Sequence, residues 1–458
     1  MELTGQKLAE GKADLRQFHR AIFAMVLPIA FQNFMTAAVS ASDAVMLGFL
    51  EQEALSAVSL AGQVTFVLNL LVTVMVQGTT VLAAQYWGKG DRQMVERILG
   101  LALQYMFLVS LVFFCMAFFL PGQLMRIFTN DRELVVRGAE YLRIAGASYV
   151  PLGISQVYLC IMKNSGKTAK CTVIGSSSMI LNVIFNVVFI FGAFGVIPAL
   201  GIQGAALATV LATVIQMVWT LLESGKKESI HIRIPYLRKV DTAIRRDFNR
   251  YTLPIVGNYF FWGGGVTMYA VIIGHMGADA VAANSVANIV RNLIVCVTKG
   301  IGTAGAILVG NELGKNAIET AKRYARQSIV LAAVLGVCSS LLLFMIRPLI
   351  LSFAALTPDA LEYLSGMLLI NCYFVIAGSV NNMVIGGIFC AGGQSRFGCI
   401  CDMFVLWLII IPLAAVSAFC LGLPVLAVYL IICLDEGIKV PVVLWYYRKY
   451  TWARNLTH

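Results

Sequence analysis

Twelve apolar runs, each long enough to cross a bilayer as a helix, account for most of this chain. A transmembrane helix needs about 20 consecutive apolar residues to span the hydrocarbon core. Such runs fall at 22–47, 55–86, 98–120, 139–162, 171–193 and 204–222, then at 251–274, 281–310, 328–346, 361–390, 398–420 and 424–446. Backbone polar groups find no water in lipid, so runs of this length predict helices. Only 12% of the 458 residues are charged and 59% are hydrophobic, against roughly 25% charged in ordinary soluble domains. The expected class is therefore an all-α integral membrane protein.

The net charge of +11 does not point to nucleic acid, because the basic residues lie in short patches between apolar runs. Lys89, Arg92 and Arg97, then Lys163, Lys167 and Lys170, then Lys315, Lys322, Arg323 and Arg326, and finally Arg448 and Lys449 occupy alternate connections. The intervening connections are poor in Lys and Arg: 48–54 carries only Glu51 and Glu53, and 193–203 carries no charge. Loop 121–138, with Arg126, Arg132 and Arg137, is the exception. The positive-inside rule then predicts both termini in the cytoplasm of a multi-pass cell-membrane protein. The first 20 residues are charged with both signs and precede a run too long for a signal core, so no cleavable signal is expected. The predicted organisation is a cytoplasmic segment 1–20, a first bundle 21–225, a cytoplasmic linker 226–250, a second bundle 251–447 and a cytoplasmic tail 448–458. The eleven cysteines and four histidines are dispersed, and no metal-ligand spacing or cofactor motif is visible.

The halves repeat. Leu27-Pro28-Ile29 recurs as Leu253-Pro254-Ile255, and Leu47-Gly48 as Ile273-Gly274, both at an offset of 226. Gly88-Lys89-Gly90 matches Gly314-Lys315-Asn316 at the same offset, and Ser165-Gly166-Lys167 aligns with Gly392-Gly393-Gln394 at 227. Six spans per half keep equivalent loops on one side of the membrane. The repeat is thus a pseudo-two-fold about the membrane normal, an arrangement in which the halves alternate access to a central path.

The segments Ser42-Asp43-Ala44-Val45-Met46-Leu47-Gly48, Gly88-Lys89-Gly90-Asp91, Leu181-Asn182-Val183-Ile184-Phe185-Asn186, Gly201-Ile202-Gln203-Gly204-Ala205-Ala206 and Ala391-Gly392-Gly393-Gln394 resemble, in order and spacing, the multidrug and toxic compound extrusion (MATE) family, with NorM- and DinF-like bacterial members nearest. The likeness covers nearly the whole chain. It implies twelve helices in two six-helix lobes and secondary active antiport. Organic cations, drugs or amphiphilic metabolites would leave in exchange for H+ or Na+, with lipid and a small amphiphilic substrate as partners, a monomeric state and no cofactor.

Asp43 is the only carboxylate in the first apolar run. An ionised Asp at a helix centre costs roughly 2.5–3.5 kcal/mol on the insertion scale, so such a residue is usually functional. A carboxyl taken out of water holds its proton more readily, which suits proton exchange near neutrality. The position also matches the first-helix acid that the resemblance associates with cation coupling. Asn182 and Asn186 are spaced i, i+4 and share a helix face; many relatives carry Asp where this chain has Asn186. Gln32, Asn33, Asn69 and Gln156 are lesser cavity candidates, and Pro28 is a candidate hinge or a plain first-turn proline. In the second half, Tyr259 and Trp262 belong to an aromatic group suited to flat cations. That half has no acid in 251–274 or in 364–390, so coupling is expected in the first half. Arg291 and Lys299, eight residues apart, are expected on one face of a continuous eighth helix, lining a cavity or meeting an acid. Asp435, Glu436 and Lys439 are expected to neutralise one another along the last helix.

Two other readings stand against export. A flippase for lipid-linked glycans would carry extra helices and a strongly cationic cavity, whereas here there are twelve runs, with only Arg291 and Lys299 as cations inside second-half spans other than the last. A membrane enzyme would need a nucleophile–base pair or a metal cluster at membrane depth, and the sequence shows neither.

Overall fold

The computed structural model describes residues 2–48, 52–192, 198–238, 241–354 and 356–457. Glu51, Lys239 and the 193–197 part of the uncharged connection lie outside them. The first half runs α1 (Glu2–Gly48), α2 (Gln52–Lys89), α3 (Arg92–Phe119), a short α4 (Pro121–Arg126), α5 (Arg132–Ala145), α6 (Tyr149–Asn164), α7 (Thr168–Phe191) and α8 (Gly201–Ser224). A single 3-10 turn joins α5 to α6, and together they make the fourth span. After α9 (Ile234–Arg238), the second half runs α10 (Thr242–Gly274), α11 (Ala278–Ile294), α12 (Cys296–Gly314), α13 (Ile318–Phe353) and α14 (Pro358–Asn381). α14 continues as a π-helical segment, Asn382–Phe389. Then follow α15 (Ser395–Asp402), α16 (Ile411–Ala415), each continued by further π-helical turns, and α17 (Val425–Tyr447).

Ten helices among the described residues are long and apolar enough to span a membrane. An eleventh span is α11 with α12, bent by 43° where they meet. The twelfth expected span, α17, fails on charge alone: Asp435, Glu436 and Lys439 fall in every 18-residue stretch of it. The eighth span is therefore not the continuous helix expected from sequence. Ile294-Val295-Cys296 contains neither Pro nor Gly, so no local breaker announced the bend.

The sequence echoes between halves mark helix ends that need a left-handed residue. Gly90, Gly166 and Gly393 have φ of 85°, 81° and 70°, and Asn316 has 60°. At each end two hydrogen bonds close the last turn: Gly90 N–H to Trp87 O with Asp91 N–H to Tyr86 O, and Asn316 N–H to Leu313 O with Ala317 N–H to Glu312 O, all at 3.0 Å. This is the Schellman pattern, which satisfies carbonyls the helix leaves open. Pro28 and Pro254 are likewise both interior to their helices. The first-turn alternative for Pro28 is thereby excluded, since α1 begins at Glu2.

By proximity the chain divides into two compact units: residues 34–249, and residues 250–458 together with the chain up to Asn33. α1 is thus shared, contrary to a boundary at residue 21. The reason is its apolar face. Phe18, Ile22, Val26 and Ile29 are buried with Ile301, Ala304 and Leu308 of α12, and Gly300 lets the backbones approach closely at Ala30. In the first-half unit the core is built where α3 and α2 pack on α6, around Ile98, Leu99, Leu101, Val157 and Leu159.

The polar linker is bound to that unit between Glu228 and Arg233. Arg233 pairs with buried Glu96 at 2.6 Å, Tyr158 donates to Ile230 O at 3.1 Å, and Lys167 donates to Glu228 O at 2.9 Å. Likewise the tail is packed rather than loose: Trp452 is fully buried and stacks on Tyr447. A Cβ at Gly392 would overlap the backbone carbonyl of Trp452. Gly392→Ala is therefore expected to displace the 450–457 segment and lower the melting temperature in detergent, with a cost of about 1–3 kcal/mol as for other overpacked sites; an unchanged melting curve would refute this.

Candidate functional site

In the first-half unit, α1 lies against α7 in a ladder of two rungs. Asn186 Nδ2 donates to Asp43 Oδ1 at 2.7 Å. One turn further along each helix, Leu47 and Ile190 are buried together with Ala205 of α8. The i, i+4 spacing puts each polar residue and its apolar follower on one face, so the apolar rung fixes the register that brings the polar groups together.

The polar rung extends into a chain of amides and hydroxyls. Asn186 Nδ2 also reaches Asn182 Oδ1 at 3.4 Å, and Asn182 Nδ2 donates to Thr209 Oγ1 of α8 at 3.3 Å. Thr209 in turn donates to Ala205 O at 3.1 Å. Asn186 is buried and its Oδ1 has no hydrogen-bond partner among the described residues. Tyr141 lies within electrostatic reach of both Asp43 and Tyr149, and the Tyr149 hydroxyl is 3.1 Å from Thr65 Oγ1. Asp43 is partly buried and forms no ion pair among the described residues. Its carboxylate is held instead by an amide N–H, with the Tyr141 hydroxyl within electrostatic reach. Such a group can take up and give back a single positive charge without first breaking a salt bridge.

Asp43, Asn182 and Asn186 are thus brought together as expected. Thr209, Tyr141, Tyr149 and Thr65 were missed, because nothing in one helix's sequence says which neighbour its polar face meets.

The lesser candidates separate. Asn33 belongs to the other unit, where its Nδ2 donates to Cys296 O at 3.1 Å beside the α11–α12 break, while Asn382 Nδ2 donates to Thr298 O at 2.9 Å. These amides tie the first turn of α12 to α1 and to the segment that follows α14. Gln32 is buried, Gln156 half-buried and Asn69 exposed. Tyr259 and Trp262 form an edge-to-face pair with centroids 6.3 Å apart.

The second-half unit holds a cluster that the sequence showed only in part. Lys439 pairs with Asp435 at 3.6 Å and with Glu436 at 3.4 Å along α17, as its spacing implied. It also pairs with Asp402 at 2.8 Å. Asn258 of α10 donates to Asp402 Oδ2 at 2.5 Å, and Asn381 of α14 donates to Glu436 Oε2 at 2.7 Å. Four elements of this unit therefore meet on one lysine that is 2% exposed.

Arg291 and Lys299 lie on either side of the 43° bend and within electrostatic reach of each other. Neither pairs with an acid among the described residues. Arg291 donates to Asn288 Oδ1 at 2.7 Å and stacks over the Phe374 ring at 4.9 Å.

Comparison with known proteins agrees with this architecture. The MatE family model matches residues 28–188 and again 254–416, two starts 226 residues apart, which is the internal offset read from the sequence. An uncharacterized transporter, YisQ, of Bacillus subtilis is 21% identical over 95% of both chains. A probable multidrug resistance protein NorM of Thermotoga maritima is 26% identical over 77% of this chain and 75% of its own. In structure the chain is similar to a MOP superfamily transporter from Pyrococcus furiosus, with TM-score 0.86 and 18% identity over 95% and 96% of the two chains. It is equally similar to an outward-facing multidrug resistance MATE family transporter, with TM-score 0.86 and 18% identity over 94% and 96%. With the family model matched in both halves and the two-lobe helical fold shared, the chain belongs to the MatE family of multi-pass membrane multidrug efflux transporters.

Proposed function

We propose that this protein is a secondary antiporter that exports amphiphilic small molecules, organic cations and drugs among them, in exchange for protons, with Asp43 as the proton's binding site. It acts as a monomer with both termini in the cytoplasm and catalyses no covalent step. The observation that carries this reading is the Asn186–Asp43 hydrogen bond of 2.7 Å, made to a carboxylate without a cationic partner among the described residues. A proton suits the site better than sodium, because the group facing the carboxylate is an amide N–H, whereas a sodium ion seeks several oxygen ligands.

Hydrogen bonds to charged groups contribute about 1.5–3 kcal/mol. Protonating Asp43 weakens that bond and loosens α1 from α7, and α1 can then bend at Pro28, which removes one helical hydrogen bond. Asn182 and Thr209 hold Asn186 in register for the return. Asn69 and Gln156 in the first-half unit, and Tyr259, Trp262 and Arg291 in the second-half unit, are the proposed substrate-facing side chains. Asn186→Ala removes the bond to Asp43, so a loss of about tenfold in exchange rate is expected, which matches 1.4 kcal/mol; a wild-type rate would mean that the bond plays no part.

The test is uptake of an organic cation such as ethidium into proteoliposomes, with pH and sodium gradients imposed separately. Movement driven by the pH gradient supports the proposal. Movement driven by sodium alone, or indifferent to both gradients, would overturn it.

A further inference from the structure

We propose that the α11–α12 break carries a recognition site for an anionic group, a carboxylate or its equivalent, on the transported molecule, with Arg291 and Lys299 as its ligands. This rests on the transport reading above and names the substrate class that reading leaves open.

The argument begins with depth. With a rise of about 1.5 Å per residue, Lys299 stands ~31 Å from the start of α11 and ~22 Å from the end of α12, and Arg291 ~20 Å and ~34 Å. Both charges therefore lie in the middle third of the α11–α12 pair, and intramembrane cations so placed face the protein interior or a water-filled cavity.

Partners come next. Lys299 is exposed on its helix, and its ammonium has no hydrogen-bond or ion-pair partner among the described residues. The groups facing Arg291 are neutral: Asn288 at 2.7 Å, the Phe374 ring, and Tyr429 and Cys433 of α17 within electrostatic reach. Arg291 and Lys299 are also close enough to repel each other.

The same unit shows what a structural cation looks like. Lys439, within the last helix, is buried and met by three carboxylates. Arg347, also without an acid partner among the described residues, bonds Ser365 near the end of α13, where a chain end is within reach. At the break, two cations have no acid partner among the described residues.

The helix ends sharpen the point. Arg291 is in the last turn of α11, where a positive charge is favoured. Lys299 is in the first turn of α12, the positive end of a helix, where a cation is disfavoured and an anion is favoured. Lys299 is thus opposed by its helix end and by Arg291, and supported by no acid. A bound anion relieves all three at once. The guanidinium, over the Phe374 ring, offers its fork to a carboxylate, and Asn33 and Asn382 anchor the first turn of α12 that carries Lys299.

The experiment compares rhodamine B, which bears a free carboxylate, with its ethyl ester, which does not. Binding of each dye to the purified full-length protein in neutral detergent is measured by fluorescence anisotropy for wild type, Arg291→Gln and Lys299→Gln, with melting curves confirming folded variants. Rhodamine B is expected to bind at least about tenfold tighter than the ester, and either substitution to bring the ratio of affinities close to one, as for loss of a charge-assisted pair. Equal affinities in wild type, preference for the ester, no binding of either dye, or a ratio unchanged in both variants would overturn the proposal. Binding needs no gradient, so the antiport reading fails separately: a wild type that shows the preference but moves neither dye under an imposed pH gradient would defeat that reading alone.

Discussion

Replacing Asp43 with Asn is expected to abolish proton-driven export while leaving the protein folded in the membrane. Asn is nearly the same size, and it can still accept the Asn186 N–H through its amide oxygen, so the α1–α7 ladder with Leu47 and Ile190 survives. What is lost is the change in charge. The wild-type carboxylate alternates between an ionised acceptor and a neutral acid, and the variant is locked in a neutral form. A site that cannot change charge cannot convert a proton gradient into work, so the loss in gradient-driven uptake should exceed about a hundredfold, in line with removal of an interaction that differs between states by about 3 kcal/mol. Binding of substrate in detergent should persist. A variant that still confers drug resistance at the wild-type level would place coupling elsewhere.

Lys439→Met is expected to be the most destabilising single change at membrane depth. Lys439 carries the one positive charge among Asp402, Asp435 and Glu436, and it is 2% exposed. Removing one partner of a buried ion pair typically costs 3–5 kcal/mol, because the remaining charge is stranded; here three acids lose their common partner. The variant should fail to accumulate in the membrane or should melt well below wild type in detergent. Adding Asp402→Asn should recover part of the loss, since it removes the acid nearest the lysine at 2.8 Å and leaves a group that Asn258 can still bond. Non-additivity of that kind is what contact between the two side chains requires. If both single variants and the double variant melt independently, the cluster does not act as a unit.

The spans were legible in the sequence because hydropathy needs only local counting. The internal repeat was legible because Pro28 and Pro254, and the left-handed turns at Gly90 and Asn316, are local backbone demands recurring 226 residues apart. The shared face of Asn182 and Asn186 followed from helical spacing alone. The meeting of Asn186 with Asp43 did not, since the two are 143 residues apart and joined only by packing of α1 on α7. The same holds for Asp402 with Lys439, where the last helix revealed two of the three acids. The bend between Arg291 and Lys299 was hidden for another reason. Its own residues, Ile294, Val295 and Cys296, include no Pro or Gly, and the side chains that bond beside it, Asn33 and Asn382, lie on distant helices.

The central claim is that Asp43 is where the exchanged ion resides. Its most direct test is ion release: substrate is added to concentrated purified protein in weakly buffered detergent solution, and protons and sodium are counted with ion-selective electrodes for wild type and Asp43→Asn. The account predicts close to one proton released per wild-type protein on substrate addition, no sodium, and no release from the variant. Undiminished proton release from Asp43→Asn would contradict it.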